Sequence, residues 1–276
     1  MTYIVCKSAQ YLAALALLVA ISPAAHSQTP RPARVGGHPN LNGVWQALNT
    51  AEWNLEAHSA SAIPSWWPLG ALGATPAGPS VVEGGTLPYL PDGRAKRDAN
   101  QAAYPDADPV TKCYMPGIPR ANYMPFPFEI IQGDSDILFA YSFASANRPV
   151  HMDARSQLSA DQVPVDQWMG WSNGHWEGNT LVIEVVANDD RTWLDRAGNH
   201  HSNQMKVTER LTLIDEHLME YRATIDDPVT YSRPWTISMP LYRHAERNAE
   251  LMDYKCVEFS ESLLYGKFMK QAITKQ

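Results

Sequence analysis

The sequence predicts an all-β protein with minor helical content, built as an antiparallel β-barrel. From residue 126 onward, apolar and polar residues alternate with a period of two, which is typical of strands that bury one face. Turn-forming pairs such as Gly133-Asp134 and Gly178-Asn179 separate these segments at short intervals. Helix-rich alternatives fit poorly, because an amphipathic helix would repeat every 3.6 residues.

The first 27 residues are expected to form a secretory signal peptide. Lys7 supplies the positive charge, and the apolar run over residues 11–21 is too short to span a bilayer comfortably. Small residues at Ala25 and Ser27 favour cleavage before Gln28, although an uncleaved N-terminal anchor is an alternative. We therefore expect a single barrel domain over residues 28–276, located in the periplasm or secreted.

A first strand is predicted at residues 42–48, and a long irregular covering segment follows it. Residues 62–120 are rich in Pro, Gly and Ala, and only one helix is expected there, near residues 94–104. Irregular stretches of this length are uncommon inside a compact domain, and they indicate covering loops or a lid.

Further strands are expected in the second half of the chain, and short turns join most of them. Consecutive strands joined in this way form antiparallel hairpins. The predicted strands are residues 128–132, 137–144, 170–176, 180–187, 205–214, 218–226, 235–243 and 251–259, and a closing helix is predicted at 260–273.

Two cysteines follow the signal segment, and we expect a disulfide between Cys113 and Cys256. Two free buried thiols are the alternative. No metal ion is expected, because the cysteines and histidines lack the spacings of common metal sites. No organic cofactor is expected either. A metal site formed by His151, His200 and a carboxylate is the alternative interpretation.

The charge balance and the missing motifs exclude several function classes. Asp and Glu number 29 against 22 Lys and Arg, for a formal net charge of −7, so a nucleic-acid partner is not expected. No later apolar run is long enough to span a membrane. A serine hydrolase, a nucleotide enzyme or a nicotinamide enzyme would lack its expected signature, because no GxSxG, P-loop or Rossmann glycine motif occurs.

Residues 188–202 form an unusually polar loop after the strongest predicted strand, and the loop also contains Trp193. We predict that His200 or His201 acts as proton donor or base, and that Asp195 orients the histidine. Arg191 would hold an anionic group, and Trp193 would contact the substrate. The alternative is a solvated connection.

A second set of polar residues follows residue 150. Spaced by two, His151, Asp153 and Arg155 lie on one face of an extended segment. We predict that His151 and Arg155 bind substrate and that Asp153 tunes a histidine. The alternative is an edge strand whose polar face contacts solvent.

Polar residues also fall on the inward faces of the later strands. Glu209 and Tyr221 alternate in phase with apolar neighbours, as do Arg233 and Trp235. Buried charges are costly unless they are paired. One interpretation is therefore a structural Glu209–Arg233 ion pair, and the other is a polar end wall of a ligand cavity.

The turn before the strand at residues 235–243 completes the candidate site. Tyr231 and Arg233 would grip a phenolic or anionic oxygen there. Alternatively, Asp226 or Asp227 caps the turn and pairs with Arg233. The three segments at 151–155, 188–202 and 231–233 are expected to meet at one end of the barrel.

Several motifs carry a resemblance to known families. Residues 40–45, NLNGVW, resemble the opening G-x-W strand of lipocalin-like proteins. GxPR at 117–120, WxGxxxGxWEGxTLVxE at 168–184, DRTWLDxxGxxHS at 190–202 and TIDDPxxYxRPWT at 224–236 resemble a group of uncharacterised secreted bacterial proteins. The resemblance implies a lipocalin-like barrel and assigns no residue roles. Phenolic acid decarboxylases, which are similar in the proposed architecture only, use inward Tyr, Arg and Glu residues without a cofactor.

We therefore expect a cofactor-independent lyase, of decarboxylase or elimination type, that acts on a small hydrophobic, aromatic or phenolic molecule. Aromatic and Met side chains would suit such a cavity. They are Trp66, Trp67, Trp168, Trp171, Trp193, Trp235 and Met239. The main alternative is a lipocalin-like carrier that binds a hydrophobic ligand without chemistry, and a structural envelope protein is the third.

Overall fold

The alternating residues of the second half of the chain build a closed β-barrel. The computed structural model describes residues 33–63, 73–246 and 248–265, and nine of its strands hydrogen-bond into a ring. The all-β class with minor helical content is confirmed. The predicted signal peptide, Trp66, Trp67 and the end of the predicted C-terminal helix lie outside the described residues.

Thirteen strands and two α-helices occur among the described residues. The strands are β1 (Arg34–Val35), β2 (His38–Pro39), β3 (Gly43–Ala47), β4 (Ser61–Ala62), β5 (Ala74–Thr75), β6 (Phe128–Gln132), β7 (Ile137–Tyr141), β8 (Asn147–His151), β9 (Trp171–Glu177), β10 (Thr180–Val186), β11 (Lys206–Leu213), β12 (Leu218–Asp226) and β13 (Trp235–Arg243). The helices are α1 (Pro91–Ala102) and α2 (Ser260–Tyr265). The ring contains β3 and β6 to β13, and it closes because β13 pairs with β3.

One pair of ring strands departs from the predicted antiparallel meander. β8 and β9 are parallel, and they pair only through Val150 with Ser172 and through His151 with Asn173. The other neighbouring pairs in the ring are antiparallel. Because β8 and β9 run in the same direction, residues 152–170 must return to the end of the barrel at which β8 begins.

The predicted strand at residues 251–259 is wrong. Residues 251–257 carry no regular structure, because β13 pairs with β3 and β8 with β9, which leaves the closed ring without an edge for another strand. The segment is instead fastened by the predicted disulfide between Cys113 and Cys256, which is confirmed. Tyr254 packs against Phe126 and Phe143.

The strand directions define two ends of the barrel. We call upper the end at which β6, β8, β9, β11 and β13 begin, and lower the opposite end. Residues 48–63 and 73–127, which include α1, cover the upper end and contribute buried side chains such as Leu55, Leu87 and Ile118 to the core. At the lower end, the indole of Trp45 donates to the carbonyl of Leu41 at 2.8 Å.

Candidate functional site

The barrel interior contains a group of buried polar side chains, which we call the interior polar cluster. Its members come from β7, β8, β9, β11 and β12, and one comes from the covering segment. They are Asn122, Tyr141, Arg148, Ser172, Glu209 and Tyr221, and all are buried. The period-two pattern explains why Glu209 points inward between Val207 and Leu211, as predicted.

Glu209 lies at the centre of the interior polar cluster. Its Oε1 accepts hydrogen bonds from Asn122 Nδ2 and from the Tyr221 hydroxyl, both at 2.7 Å. Its Oε2 accepts from Arg148 Nη2, with which it forms an ion pair. Arg148 also donates through Nε to Ser172 Oγ at 2.7 Å. Tyr141 joins the cluster by donating to Asn122 Oδ1 at 2.8 Å.

The predicted Glu209–Arg233 ion pair is therefore wrong. Arg233 lies in the turn before β13, where its side chain is exposed and donates to the carbonyl of Pro234. The inward alternation holds only within the strand, which begins at Trp235. Arg148 takes the place of Arg233 as the partner of Glu209.

The electrostatics of the cluster keep the arginine charged and the phenols neutral. Burial lowers the pKa of Arg148, but Glu209 and Tyr141 together raise it by more. Burial raises the pKa of Tyr221, and the nearby Glu209 charge raises it further. A salt bridge without access to water is tolerated only when hydrogen bonds satisfy most of its polar atoms, as they do here.

A groove of about 260 Å³ lies beside the cluster, where β8 and β9 begin. The backbones of the two strands pair through only two residue pairs, and above these pairs no further backbone pairing joins them. We call this the β8/β9 groove, and its lining includes Met115, Arg148, His151, Asp166, Trp168, Trp171 and Ser172. Arg148 and Ser172 therefore belong both to the groove and to the interior polar cluster.

Two tryptophans and a histidine form stacked pairs in or beside the β8/β9 groove. The His151 ring stacks on Trp171 with centroids 4.2 Å apart and planes within 7° of each other. Trp168 stacks against Tyr114 at 4.8 Å and also contacts the Arg191 guanidinium at 4.5 Å. Burial lowers the pKa of His151, so its ring is neutral at pH 7.

The two histidines of the polar loop are buried and hydrogen-bonded to their surroundings. His200 Nε2 lies 2.9 Å from the carbonyl oxygen of Gly93 in α1. His201 bonds through Nε2 to Thr192 Oγ1 at 2.7 Å and through Nδ1 to the carbonyl of Ser202. Burial lowers the pKa of both histidines, so both rings are neutral at pH 7.

The predicted acidic partner of these histidines is engaged elsewhere. Asp195 is fully buried and accepts hydrogen bonds from the backbone N–H of Leu55 and from Asn199. Burial raises the pKa of Asp195 to about 6. Trp193 is buried beside it in the loop, and its backbone pairs with that of His200.

Arg191 lies at the surface, between the loop and the β8/β9 groove. It pairs with Asp189 of the same loop, and its guanidinium contacts Trp168. Arg191 therefore contacts a side chain that lines the groove.

The turn before β13 meets the polar loop, as predicted. The Tyr231 hydroxyl donates to the carbonyl of His200 at 2.7 Å, and the Tyr231 ring packs edge-on against Trp235. Asp227 caps the turn, because its carboxylate accepts from the backbone N–H groups of Val229 and Thr230. Asp227 also accepts from Ser202 of the loop.

The third predicted segment does not join these two, so the predicted convergence is wrong in this respect. β8 runs from the upper to the lower end, and residues that follow His151 therefore emerge at the lower end. Asp153 and Arg155 form an exposed ion pair with each other there. Of the three residues, only His151 lines the groove.

Several residues of the site were not predicted. Arg148 shares the apolar face of Val150 and Met152 in the sequence, so its inward direction follows from the same alternation that singled out His151. Asn122 carries no such signal, because it lies in a short 3₁₀ turn of the irregular covering segment.

Comparisons of the chain with protein families, with curated proteins and with solved structures found no match. Within residues 33–63, 73–246 and 248–265, no three His, Cys, Asp or Glu side chains gather as metal ligands would. No helix in the same ranges is long and apolar enough to cross a membrane.

Proposed function

We propose that this chain binds a small, flat, hydrophobic molecule with an aromatic ring in the β8/β9 groove. The observation that carries the proposal is the composition of the groove, whose lining includes the aromatic residues Trp168 and Trp171, the His151 ring, and the polar Arg148 and Ser172. Ligand sites are usually lined by aromatic side chains with a few well-placed polar groups.

The size of the groove limits its ligand. Its volume of about 260 Å³ lies just below the roughly 300 Å³ at which typical ligand sites begin. The ligand is therefore a compact molecule of one or two rings.

We also propose that the protein works in the periplasm or outside the cell. The Cys113–Cys256 disulfide supports this location, because such bonds persist in oxidising compartments. The expected signal peptide at residues 1–27 agrees with it.

Calorimetric titration of the purified protein with a panel of one- and two-ring aromatic compounds tests the binding proposal. We expect saturable binding, together with quenching of tryptophan fluorescence. Trp171→Leu should weaken this binding at least tenfold, because it removes the ring on which His151 stacks. The matched control is Trp176→Leu, which changes a tryptophan that stacks on His38 at the lower end.

Equal loss of binding in both variants would contradict a site in the groove, and so would the absence of any binding compound. Circular dichroism of each variant establishes that the barrel remains folded.

A second candidate function is a cofactor-independent lyase that decarboxylates its bound ligand or eliminates a group from it. The neutral His151 ring in the groove favours this candidate, because a neutral imidazole can accept a proton at pH 7. Mass spectrometry of ligands after incubation distinguishes the two candidates, since a binding protein returns its ligand unchanged.

The same experiment tests the sequence-based prediction that His200 or His201 acts as proton donor or base. If either residue acts on the ligand, His200→Ala or His201→Ala should abolish turnover. If His151 is the base, turnover survives these changes in any variant that folds, and is lost in His151→Ala.

A further inference from the structure

A second cavity, of about 190 Å³, lies among the segments that cover the upper end of the barrel. Its described walls are residues 53–59, the β4–β5 ribbon, the end of α1 with Tyr104, and residues 196–197 of the polar loop. We propose that this space, which we call the upper cavity, binds a small, uncharged, polyhydroxylated molecule of the size of one sugar ring. It shares no described lining residue with the β8/β9 groove, so the inference goes beyond the proposed function.

One wall of the upper cavity is built around the guanidinium group of Arg196. Its Nε donates to Glu52 Oε1 and its Nη1 donates to the Tyr104 hydroxyl, both at 3.2 Å. The guanidinium also lies 4.5 Å from the centroid of the Trp53 ring. Trp53, Tyr104 and Arg196 therefore meet on this wall, and all three line the cavity. Groups that are fixed before a ligand arrives lose little conformational freedom on binding.

The Tyr104 hydroxyl is available as a hydrogen-bond donor. It accepts from Arg196 through a lone pair of its oxygen, which leaves its own hydrogen for an acceptor on a ligand. Burial raises the pKa of Tyr104, so the hydroxyl keeps this hydrogen at pH 7.

The other polar side chains of the lining can both donate and accept hydrogen bonds, because they are amides and hydroxyls. They are Asn54, Ser59, Ser61, Thr75 and Gln101. Ser61 and Thr75 are directly paired across β4 and β5, so their side chains leave the ribbon on the same side. A sugar hydroxyl also donates and accepts, and can therefore pair with any of these groups. The Trp53 ring and Ile63 supply apolar surface for the carbon atoms of such a ligand.

The charges around the upper cavity favour an uncharged ligand. No Asp or Glu occurs among its described lining residues, and Arg196 is the one Arg or Lys among them. The charge of Arg196 is compensated by Glu52, which also pairs with Arg120, and Arg120 pairs in turn with Asp108. Two arginines thus face two carboxylates, and an added ligand charge would find no uncompensated partner.

The experiment is a ligand-observed NMR titration of the full protein at pH 7. The probes are the methyl glycosides of glucopyranose, galactopyranose and mannopyranose, together with glucuronate and methoxycyclohexane. Glucuronate adds a negative charge, and methoxycyclohexane keeps a six-membered ring without the hydroxyl groups. We expect at least one glycoside to bind roughly tenfold more tightly than either of these two compounds.

Tyr104→Phe removes the hydroxyl and keeps the ring. It should weaken glycoside binding about fivefold, the size expected for one uncharged hydrogen bond. The matched control is Tyr114→Phe, which changes a tyrosine that stacks on Trp168 of the β8/β9 groove and should leave glycoside affinity unchanged. Circular dichroism establishes that both variants are folded.

Three results would overturn the inference: no glycoside binds, methoxycyclohexane or glucuronate binds as tightly as the best glycoside, or the two tyrosine variants lose affinity equally. Trp171→Leu separates this inference from the proposed function, because it should weaken aromatic ligands and leave glycoside binding unchanged. Absence of aromatic binding would therefore contradict the β8/β9 groove alone, and absence of glycoside binding would contradict the upper cavity alone.

Discussion

Glu209 and Arg148 show how one residue depends on its partner inside this barrel. Each is almost completely shielded from solvent, and each charge is compensated by the other. Removing one member of a buried ion pair leaves a charge that neither water nor protein can satisfy.

We expect Arg148→Met to lower the free energy of unfolding by about 3–5 kcal/mol, because Glu209 is then left buried and unpaired. The double variant Arg148→Met/Glu209→Gln should recover most of this loss, since it removes both charges. Urea denaturation followed by circular dichroism measures both values.

The exposed pair of Asp153 and Arg155 provides the control. Arg155→Met should leave the urea midpoint unchanged, because exposed ion pairs contribute little to stability. An equally small effect of Arg148→Met would show that the interior ion pair is not formed.

Asp195 predicts a pH dependence whose sign follows from its burial. Burial raises its pKa from the usual 3.8 to about 6, so the folded protein holds this proton more tightly than the unfolded chain. Between about pH 4 and 6, this group therefore makes the protein less stable as pH rises, by about 3 kcal/mol in total.

Asp195→Asn removes this titration. The free energy of unfolding of the wild type, measured from pH 4 to 7, should fall relative to that of the variant as pH rises, and the difference should level off above about pH 6. Parallel curves for the two proteins across this range would mean that Asp195 does not hold a raised pKa.

At the scale of elements, the local residue pattern predicts hairpins, but it does not predict which strands pair when they are far apart in the sequence. The hairpins β9–β10 and β11–β12 follow from alternation on both sides of a short turn. The parallel β8–β9 pair joins strands separated by a long connection, and no local residue pattern specifies it. The same limitation explains why residues 251–259 alternate like a strand and still remain outside the ring.

The disulfide joins two segments that lie outside the barrel strands. It links the covering segment at Cys113 to the C-terminal segment at Cys256, across 143 residues of sequence. We expect Cys113→Ser/Cys256→Ser to lower the free energy of unfolding by about 2–4 kcal/mol, because the unfolded chain gains conformational freedom.

The far-UV circular dichroism spectrum of this double variant should stay that of a β-barrel, and limited proteolysis should now cleave within residues 248–265. Wild type treated with a reductant is the matched comparison and should behave alike. Loss of the β spectrum in the folded-state buffer would mean that the barrel itself depends on the bridge.

At the scale of the whole molecule, the ring closes around a filled interior. Inward residues of β10 to β13 are largely apolar and almost fully buried, and the interior polar cluster occupies the space near β8 and β9. The groove we propose as the binding site lies where the backbone pairing between these two strands stops. The proposed binding site therefore depends on the one parallel strand pair of the ring, β8 and β9.

The sequence by itself determined the all-β class, the disulfide partners and the inward direction of Glu209 and Tyr221. Each follows from a local pattern or from the small number of cysteines. Only the tertiary structure decided that Arg148 is the partner of Glu209, that residues 153–155 emerge at the end opposite to the polar loop, and that Trp168 and Trp171 line one groove. Alternation specifies which face of a strand a residue occupies, whereas the order and direction of the strands decide which faces meet.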